Sequence, residues 1–257
     1  MESTKKGTTH KFLGLFQKNE HKKHFTSAVI VAGGTGKRSG SAILKQHVVL
    51  CGKEIVARTM SAFENCPYVD EIVVVCRPGE ENLYHDYKLK YGIEKMTAAV
   101  PGGETRQESA LRGFEAISPE SRYVAVHDAA RCLITSDAIG EIISNAYKYR
   151  AAFAAKRVTD TVKIVNEEEF AVKSADRTEM LLAQTPQVFD TDLYRAAAYT
   201  ARKDGFSATD DCMMAERLGF KVKACECSCF NMKITNPEDF ELAQMYIEMC
   251  ERKKIRD

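Results

Sequence analysis

The run Ala32-Gly33-Gly34-Thr35-Gly36, followed directly by Lys37 and Arg38 and then by Lys45, combines the two ingredients of a phosphate site. Small residues let backbone N–H groups come close to phosphate oxygens, and the cations behind them neutralise the anion. Three cations around one glycine turn would otherwise repel one another. In nucleotidyl transfer the α-phosphorus gains charge on its non-bridging oxygens as pyrophosphate leaves, so fixed positive groups at that point lower the barrier. The run matches neither the Gly-x-x-x-x-Gly-Lys-Ser/Thr phosphate loop nor the Gly-x-Gly-x-x-Gly dinucleotide fingerprint. Taken alone, a tight β–α turn or a solvated basic loop explains it equally well.

Further along, Asp128 ends the apolar run YVAVHD, where its carboxylate suits Mg²⁺ bridged to phosphate oxygens, and Arg131 follows within reach of a phosphate monoester. The competing role for Asp128 is a helix N-cap. A second glycine turn, Gly102-Gly103, precedes Glu104 and Ser109, whose backbone amides and hydroxyl could face a base and ribose. Lys233 stands alone in the apolar NMKIT, as a further catalytic cation or as a side chain snorkelling to solvent. Cys225, Cys227 and Cys229 alternate, so a continuous strand would spread their sulphurs too widely for one tetrahedral metal.

These residues need a scaffold, and the apolar periodicity supplies one. AVIVAG, EIVVVC, MTAAV and YVAVHD are short, nearly continuous apolar runs, as parallel strands covered on both faces require. Helical spacing follows in IVARTMSAFENC, from Gln107 to Ala116, and from Asp137 to Tyr149. The alternation predicts an α/β fold with a Rossmann-like, doubly wound, mostly parallel sheet, and a ligand at the carboxyl ends of its strands. Two stretches depart from it. Arg157 to Arg177 reads as a protruding β-hairpin around Asn-Glu-Glu, placed to reach another subunit, and Phe220 to Thr235 reads as a late strand before a closing helix capped at Asn236-Pro237.

The chain has 257 residues, 44% of them hydrophobic, enough for one large domain, here placed at 25–257, with appendages. A net charge of +1 gives no reason to expect nucleic acid or a membrane as partner. Residues 1 to 24 form a basic leader with six Lys and two Glu; its apolar patch, Phe12 to Phe16, is far too short for a membrane span. Nine scattered cysteines do not suggest a secreted disulfide framework, and reduced thiols in a cytoplasm fit better. No Gly-x-Ser-x-Gly elbow suggests a hydrolase.

Together, VIVAGGTGKRSG…LKQ, GGETRQES, VHDAAR, VTDTVK, AQTPQVF, TDD and NMKITNPEDFELA occur in the order and spacing of the 2-C-methyl-D-erythritol 4-phosphate cytidylyltransferases, which the chain resembles over about residues 27 to 247. The resemblance implies a Rossmann-like sheet, CTP as cosubstrate, Mg²⁺, and cytidylyl transfer to methylerythritol phosphate in the non-mevalonate route to isoprenoids. By motif position it implies Arg38 and Lys45 as cations at the pentavalent phosphorus, with Lys233 near the α-phosphate. CTP contacts fall on Ala32, Gly33, Gly34, Gly36, Gly103, Glu104 and Ser109, and magnesium and substrate on Asp128. Acceptor contacts fall on Arg131, Thr161, Arg177 and Thr209, and the arm at about 157–177 implies a homodimer with shared sites. Leu44 and Cys132 replace prolines usual in the family, which affects loop rigidity and removes no charge. The rival expectations are a ribitol 5-phosphate cytidylyltransferase and a non-catalytic nucleotide-binding regulator on the same fold. An oxidoreductase is disfavoured by the missing fingerprint.

Overall fold

A computed structural model describes residues 23–34 and 44–254. In chain order its elements are β1 (Thr26–Val31), β2 (Val49–Leu50), β3 (Lys53–Glu54), α1 (Ile55–Glu64), β4 (Glu71–Cys76), α2 (Glu81–Tyr91), β5 (Met96–Pro101), α3 (Arg106–Glu115) and β6 (Tyr123–Asp128). They continue with α4 (Ser136–Tyr149), β7 (Ala151–Arg157), β8 (Lys163–Val165), β9 (Ala171–Ser174), β10 (Leu181–Asp190), α5 (Thr191–Lys203), α6 (Asp211–Arg217), β11 (Lys223–Glu226) and α7 (Pro237–Lys254). The central seven-stranded sheet runs β11-β7-β10-β6-β1-β4-β5, and only β10 runs against the rest.

The apolar runs are continuous because both faces of the sheet are covered. Ala28 and Ile30 of β1 join Ile72, Val74 and Ala125 in one core with α1 and α4, while Val29, Val75, Val124 and Val126 point into a second core with α3 and α5. Each fully buried Val or Ile side chain contributes about 1.5–3 kcal/mol relative to exposure. A third cluster packs α7 (Ala243, Ile247) against Leu50, Ile55 and Ile234, so the closing helix supports the segment that follows β11.

One expectation needs correction, and one element was not anticipated. The late strand covers only Lys223–Glu226, not 220–235, and the chain then leaves the sheet at Cys227. The sequence AQTPQVFD, given no element above, lies in β10, which pairs with both β6 and β7; Pro186 occupies a register shift between Ala183 and Gln187, where no ladder donor is demanded of it. The hairpin arm forms as expected, from β8 and β9, with every strand residue exposed.

Candidate active site

The carboxyl edge of the parallel strands gathers the chemistry. Val31 and Asp128 are register partners at the ends of β1 and β6, so the first glycine turn and the carboxylate leave the sheet side by side. Ala32 N–H donates to the Val75 carbonyl at 2.7 Å, which fixes the start of that turn. After β5 the chain turns at Gly102-Gly103 into α3, whose first turn is closed by a capping box between Thr105 and Glu108. A Cβ on Gly103 would lie 2.4 Å from Glu108 Cβ, so this turn requires glycine. The result is a cleft of about 680 Å³ lined by Ala32, Gly33, Gly34, Lys45, Gly103, Glu104, Ser109, Asp128 and Lys233 among others.

Asp128 is the electrostatic centre of the cleft. Its Oδ1 accepts from Arg106 Nε at 2.8 Å and its Oδ2 from Lys233 Nζ at 2.7 Å. Burial would raise the Asp128 pKa, but Arg106 and then Lys233 outweigh it and hold the carboxyl well below its usual range. Both its oxygens engage cations, which supports charge chemistry and not the N-cap role. Arg106 bridges onward to Asp211 Oδ2 at 2.8 Å, and Asp211 also accepts from the Tyr194 hydroxyl at 3.0 Å. Burial opposes the charge on Arg106, and the two aspartates overcome it, so its pKa is raised. His127, one residue before Asp128, is fully buried and pushed down to about 3 by desolvation, so it is neutral and contributes no charge to the cleft.

Several donors around this centre have no acceptor among the described residues. Gln46 Nε2, Arg106 Nη2 and Arg131 Nε are buried with no hydrogen-bond partner among the described residues, and Gln46 and Arg106 line the cleft. Buried donors are rarely left unmade without a ligand or water to receive them. Lys45, on the short turn Lys45–His47, donates to the Ile234 carbonyl at 3.1 Å and so faces the same segment as Lys233. A concavity of about 620 Å³ along α7, between Phe230, Leu242, Met245 and Met249, has mainly apolar walls and contains none of the expected site residues.

Other expected residues are placed differently. Ser109 lines the cleft, but its hydroxyl donates to the Thr105 carbonyl at 2.8 Å and accepts from Gly103 N–H at 3.1 Å, contacts that hold the turn. Arg131 turns its Nη1 to the Asn231 carbonyl at 2.9 Å, behind the cleft lining. Thr161 and Arg177 sit exposed on the arm, where Arg177 donates to the Thr159 carbonyl at 2.6 Å, and Thr209 is exposed beside Met213. None of these three joins the cleft within one chain. Gly36, Lys37 and Arg38 lie outside the described residues, as does nearly all of the basic leader. Cys227 and Cys229 are not spread along a strand: their sulphurs are 3.4 Å apart, because β11 ends at Glu226.

Arg106 and Asp211 were given no role from the sequence. A signal was present in TDD: of the two acids Asp210 caps α6, accepting from Met213 N–H, which leaves the second acid spare for another purpose. For magnesium, Asp128 offers one ionised carboxylate at the edge of this cleft, and an ion that completes its shell with phosphate oxygens and water fits there. Among the described residues no group of three or more His, Cys, Asp or Glu could hold a metal by itself.

A mostly parallel α/β sheet, glycine turns at its carboxyl edge and a paired acid among cations define a nucleotide-binding transferase of the nucleotidyltransferase type. The family model described as IspD, 2-C-methyl-D-erythritol 4-phosphate cytidylyltransferase, matches residues 26–249, and the chain belongs to that family. It is 40% identical over 222 residues to the enzyme of that name from Desulforamulus reducens, covering 86% of this chain and 95% of that protein. The counterpart from Caldanaerobacter subterraneus is 38% identical, with 86% and 98% covered. Among solved structures, 4-diphosphocytidyl-2C-methyl-D-erythritol synthase from Anaerococcus prevotii superposes with a TM-score of 0.79 at 29% identity, covering 88% of this chain and 97% of that one. The Thermus thermophilus 2-C-methyl-D-erythritol 4-phosphate cytidylyltransferase gives 0.70 at 30% identity, covering 86% and 98%.

Proposed function

We propose that this chain transfers the cytidylyl group of CTP to 2-C-methyl-D-erythritol 4-phosphate, giving 4-diphosphocytidyl-2-C-methyl-D-erythritol and pyrophosphate. The observation that carries the proposal is the Arg106–Asp128–Lys233 cluster at the mouth of the two glycine turns, with the unpaired donors of Gln46 and Arg106 beside it.

In this mechanism Gly33, Gly34 and Gly103 let the nucleotide approach the backbone, and Lys45 and Lys233, which line the same cleft, would meet the negative charge that grows at the α-phosphorus. Arg38 joins them on the strength of the family motif. The acceptor's phosphate oxygen attacks in line, the bond to pyrophosphate breaks, and no covalent enzyme intermediate forms. A phosphate monoester is already a competent nucleophile near neutrality, so the residues orient and neutralise without abstracting a proton. Asp128 would hold Mg²⁺, which when bound neutralises phosphate charge and fixes the triphosphate. On binding, Lys233 would exchange part of its pairing with Asp128 for phosphate.

The acceptor side belongs to Arg131, Thr161, Arg177 and Thr209. Because Thr161 and Arg177 stand on an exposed arm, we place them in the site of a second copy, in a homodimer. Exposed Ile164, Phe170 and Val172 on that arm supply apolar surface for the contact. We assign the enzyme to the cytoplasm, where nine free thiols would stay reduced; no helix among the described residues is long and apolar enough to cross a membrane.

The test is pyrophosphate release with CTP and Mg²⁺, using methylerythritol 4-phosphate or ribitol 5-phosphate as acceptor and ATP, GTP and UTP as controls. Release with CTP and methylerythritol phosphate alone is the expected result. Release with ribitol phosphate instead would keep the mechanism and change the acceptor. Release with neither would leave a non-catalytic nucleotide binder.

A further inference from the structure

We infer that Cys227 and Cys229 form a reversible dithiol–disulfide switch that acts on the active site through the segment 230–234. The inference rests on the proposed function for its effect on turnover, but not for its chemistry. Only Ser228 separates the two residues, both thiols are partly exposed, and the sulphurs are already 3.4 Å apart. The contact between the two thiols lowers the Cys227 pKa against the effect of burial, and we take Cys227 as the attacking thiolate of the pair. The same contact, with burial, pushes Cys229 up and keeps its proton in place.

Neither thiol has a part in cytidylyl transfer, yet the chain they sit on leads directly to it. Cys227 N–H is anchored to the Ala155 carbonyl of β7 at 2.8 Å, so the start of the bend is tied to the sheet. The Cys229 carbonyl accepts from Asn231 N–H at 2.9 Å. Asn231 is buried; its side chain donates to the Thr185 carbonyl at 2.8 Å and its own carbonyl receives Arg131. Two residues on, Lys233 pairs with Asp128, and Ile234 N–H is fixed to the Ala130 carbonyl at 2.9 Å. A disulfide would draw the sulphurs together by roughly 1.4 Å. That pull falls on a bend held at Ala155 before it and at Thr185 and Ala130 after it, so it loads the hydrogen bonds of Asn231 and, through them, the position of the Lys233 ammonium.

The oxidant is a low-molecular-mass disulfide. The Cys227 thiolate attacks one of its sulphurs, the small disulfide bond breaks, and one small thiolate leaves with the electron pair and takes a proton. Cys229 then loses its proton and attacks the Cys227 sulphur, expelling the second small thiol. Two protein thiols and one disulfide thus become one protein disulfide and two small thiols. Excess small thiol reverses both steps.

The full chain is equilibrated with oxidised glutathione, alkylated and digested, and the peptide 224–233 is weighed. The expected product lacks two hydrogens and carries no alkyl group on Cys227 or Cys229. In parallel, amide hydrogen exchange at 231–234 should quicken and pyrophosphate release should fall by about tenfold to hundredfold, as expected for a small misplacement of a catalytic cation. Dithiothreitol should restore both. Cys227→Ser should match the reduced enzyme in activity and ignore the oxidant. A mixed disulfide as the only product, or bridging to another cysteine, would overturn the proposal. So would a Cys227–Cys229 disulfide that changes neither exchange nor turnover, or equal inhibition of Cys227→Ser. If the reduced chain releases no pyrophosphate with either acceptor, the proposed function fails, while mass and exchange still decide the switch.

Discussion

The carboxyl edge of β1 and β6 and the arm formed by β8 and β9 are built on opposite terms. At the edge, Asp128 is 8% exposed, its partners are fixed at 2.7–2.8 Å, and charge is balanced within one chain. On the arm, Phe170 is 68% and Val172 63% exposed, and Arg177 donates to a backbone carbonyl of its own hairpin. The edge is preorganised before any ligand arrives, whereas the arm is a surface still lacking its counterpart. On the proposed function, the difference assigns the two halves of a two-substrate site to different sources: one half to the monomer, the other to assembly.

The largest effect should come from removing the charge at the centre of the edge. Asp128→Asn should lower turnover by about 10²- to 10³-fold while the fold persists, measured by pyrophosphate release alongside circular dichroism. The same variant has a pH signature. Because the folded-state pKa of Asp128 is depressed, its contribution to stability is present above the unfolded carboxyl value and is lost as the pH falls through the folded one. The stability gap between wild type and Asp128→Asn should therefore close on acidification below about pH 4. A gap independent of pH would mean that the Arg106–Asp128–Lys233 cluster is not what holds the carboxyl ionised. Next in size, Lys45→Ala should cost about a hundredfold in turnover with CTP affinity little changed, because its interaction grows in the transition state. Equal losses in binding and turnover, by calorimetry and steady-state kinetics, would reassign Lys45 to ground-state binding.

The arm should respond differently. Arg177→Ala should raise the KM for the acceptor about tenfold, the worth of one charge-assisted hydrogen bond, and leave the KM for CTP unchanged. Phe170→Asp should shift the protein from dimer to monomer in sedimentation and produce the same acceptor-side defect without touching a polar contact. If Phe170→Asp yields a monomer of full activity, the arm does not complete a second copy's site, and the comparison fails on that side.

The sequence disclosed these two regions unequally. Strands β4 and β6 were legible to the residue, because buried parallel strands are apolar without interruption. The arm was legible from its β-branched flanks and polar turn. Strand β10 was not, since Pro186 in its middle argues against a strand unless a register shift is known to exempt it. The late strand was read too long because alternation at Cys225, Cys227 and Cys229 continues past Glu226 while the backbone pairing does not. Within the site, the acid and Lys233 were visible at strand ends or in an apolar setting. Arg106 was not, because at the first position of α3 its sequence environment is that of any capped helix; only the folded chain brings Asp211, 105 residues away, to its guanidinium.

The smallest predicted effect tests whether the edge depends on packing beneath it as well as on charge. Helix α3 approaches the sheet closely enough that a Cβ on Gly113 would meet Val29 Cγ1 at 2.3 Å and Val75 Cγ2 at 2.6 Å. Both neighbours are buried, β-branched and on central strands, so neither can turn aside cheaply. In an exposed helix, Gly→Ala would gain up to about 1 kcal/mol from propensity, but here overpacking costs about 1–3 kcal/mol and should outweigh it. Gly113→Ala should therefore lower Tm by up to about 8 °C and weaken CTP binding slightly, since α3 follows the Gly102-Gly103 turn, while the KM for the acceptor stays constant. A shift confined to CTP would locate the preorganisation of the nucleotide half in the contact between α3 and the sheet. An equal shift for both substrates would mean that the two halves are mechanically coupled within one chain.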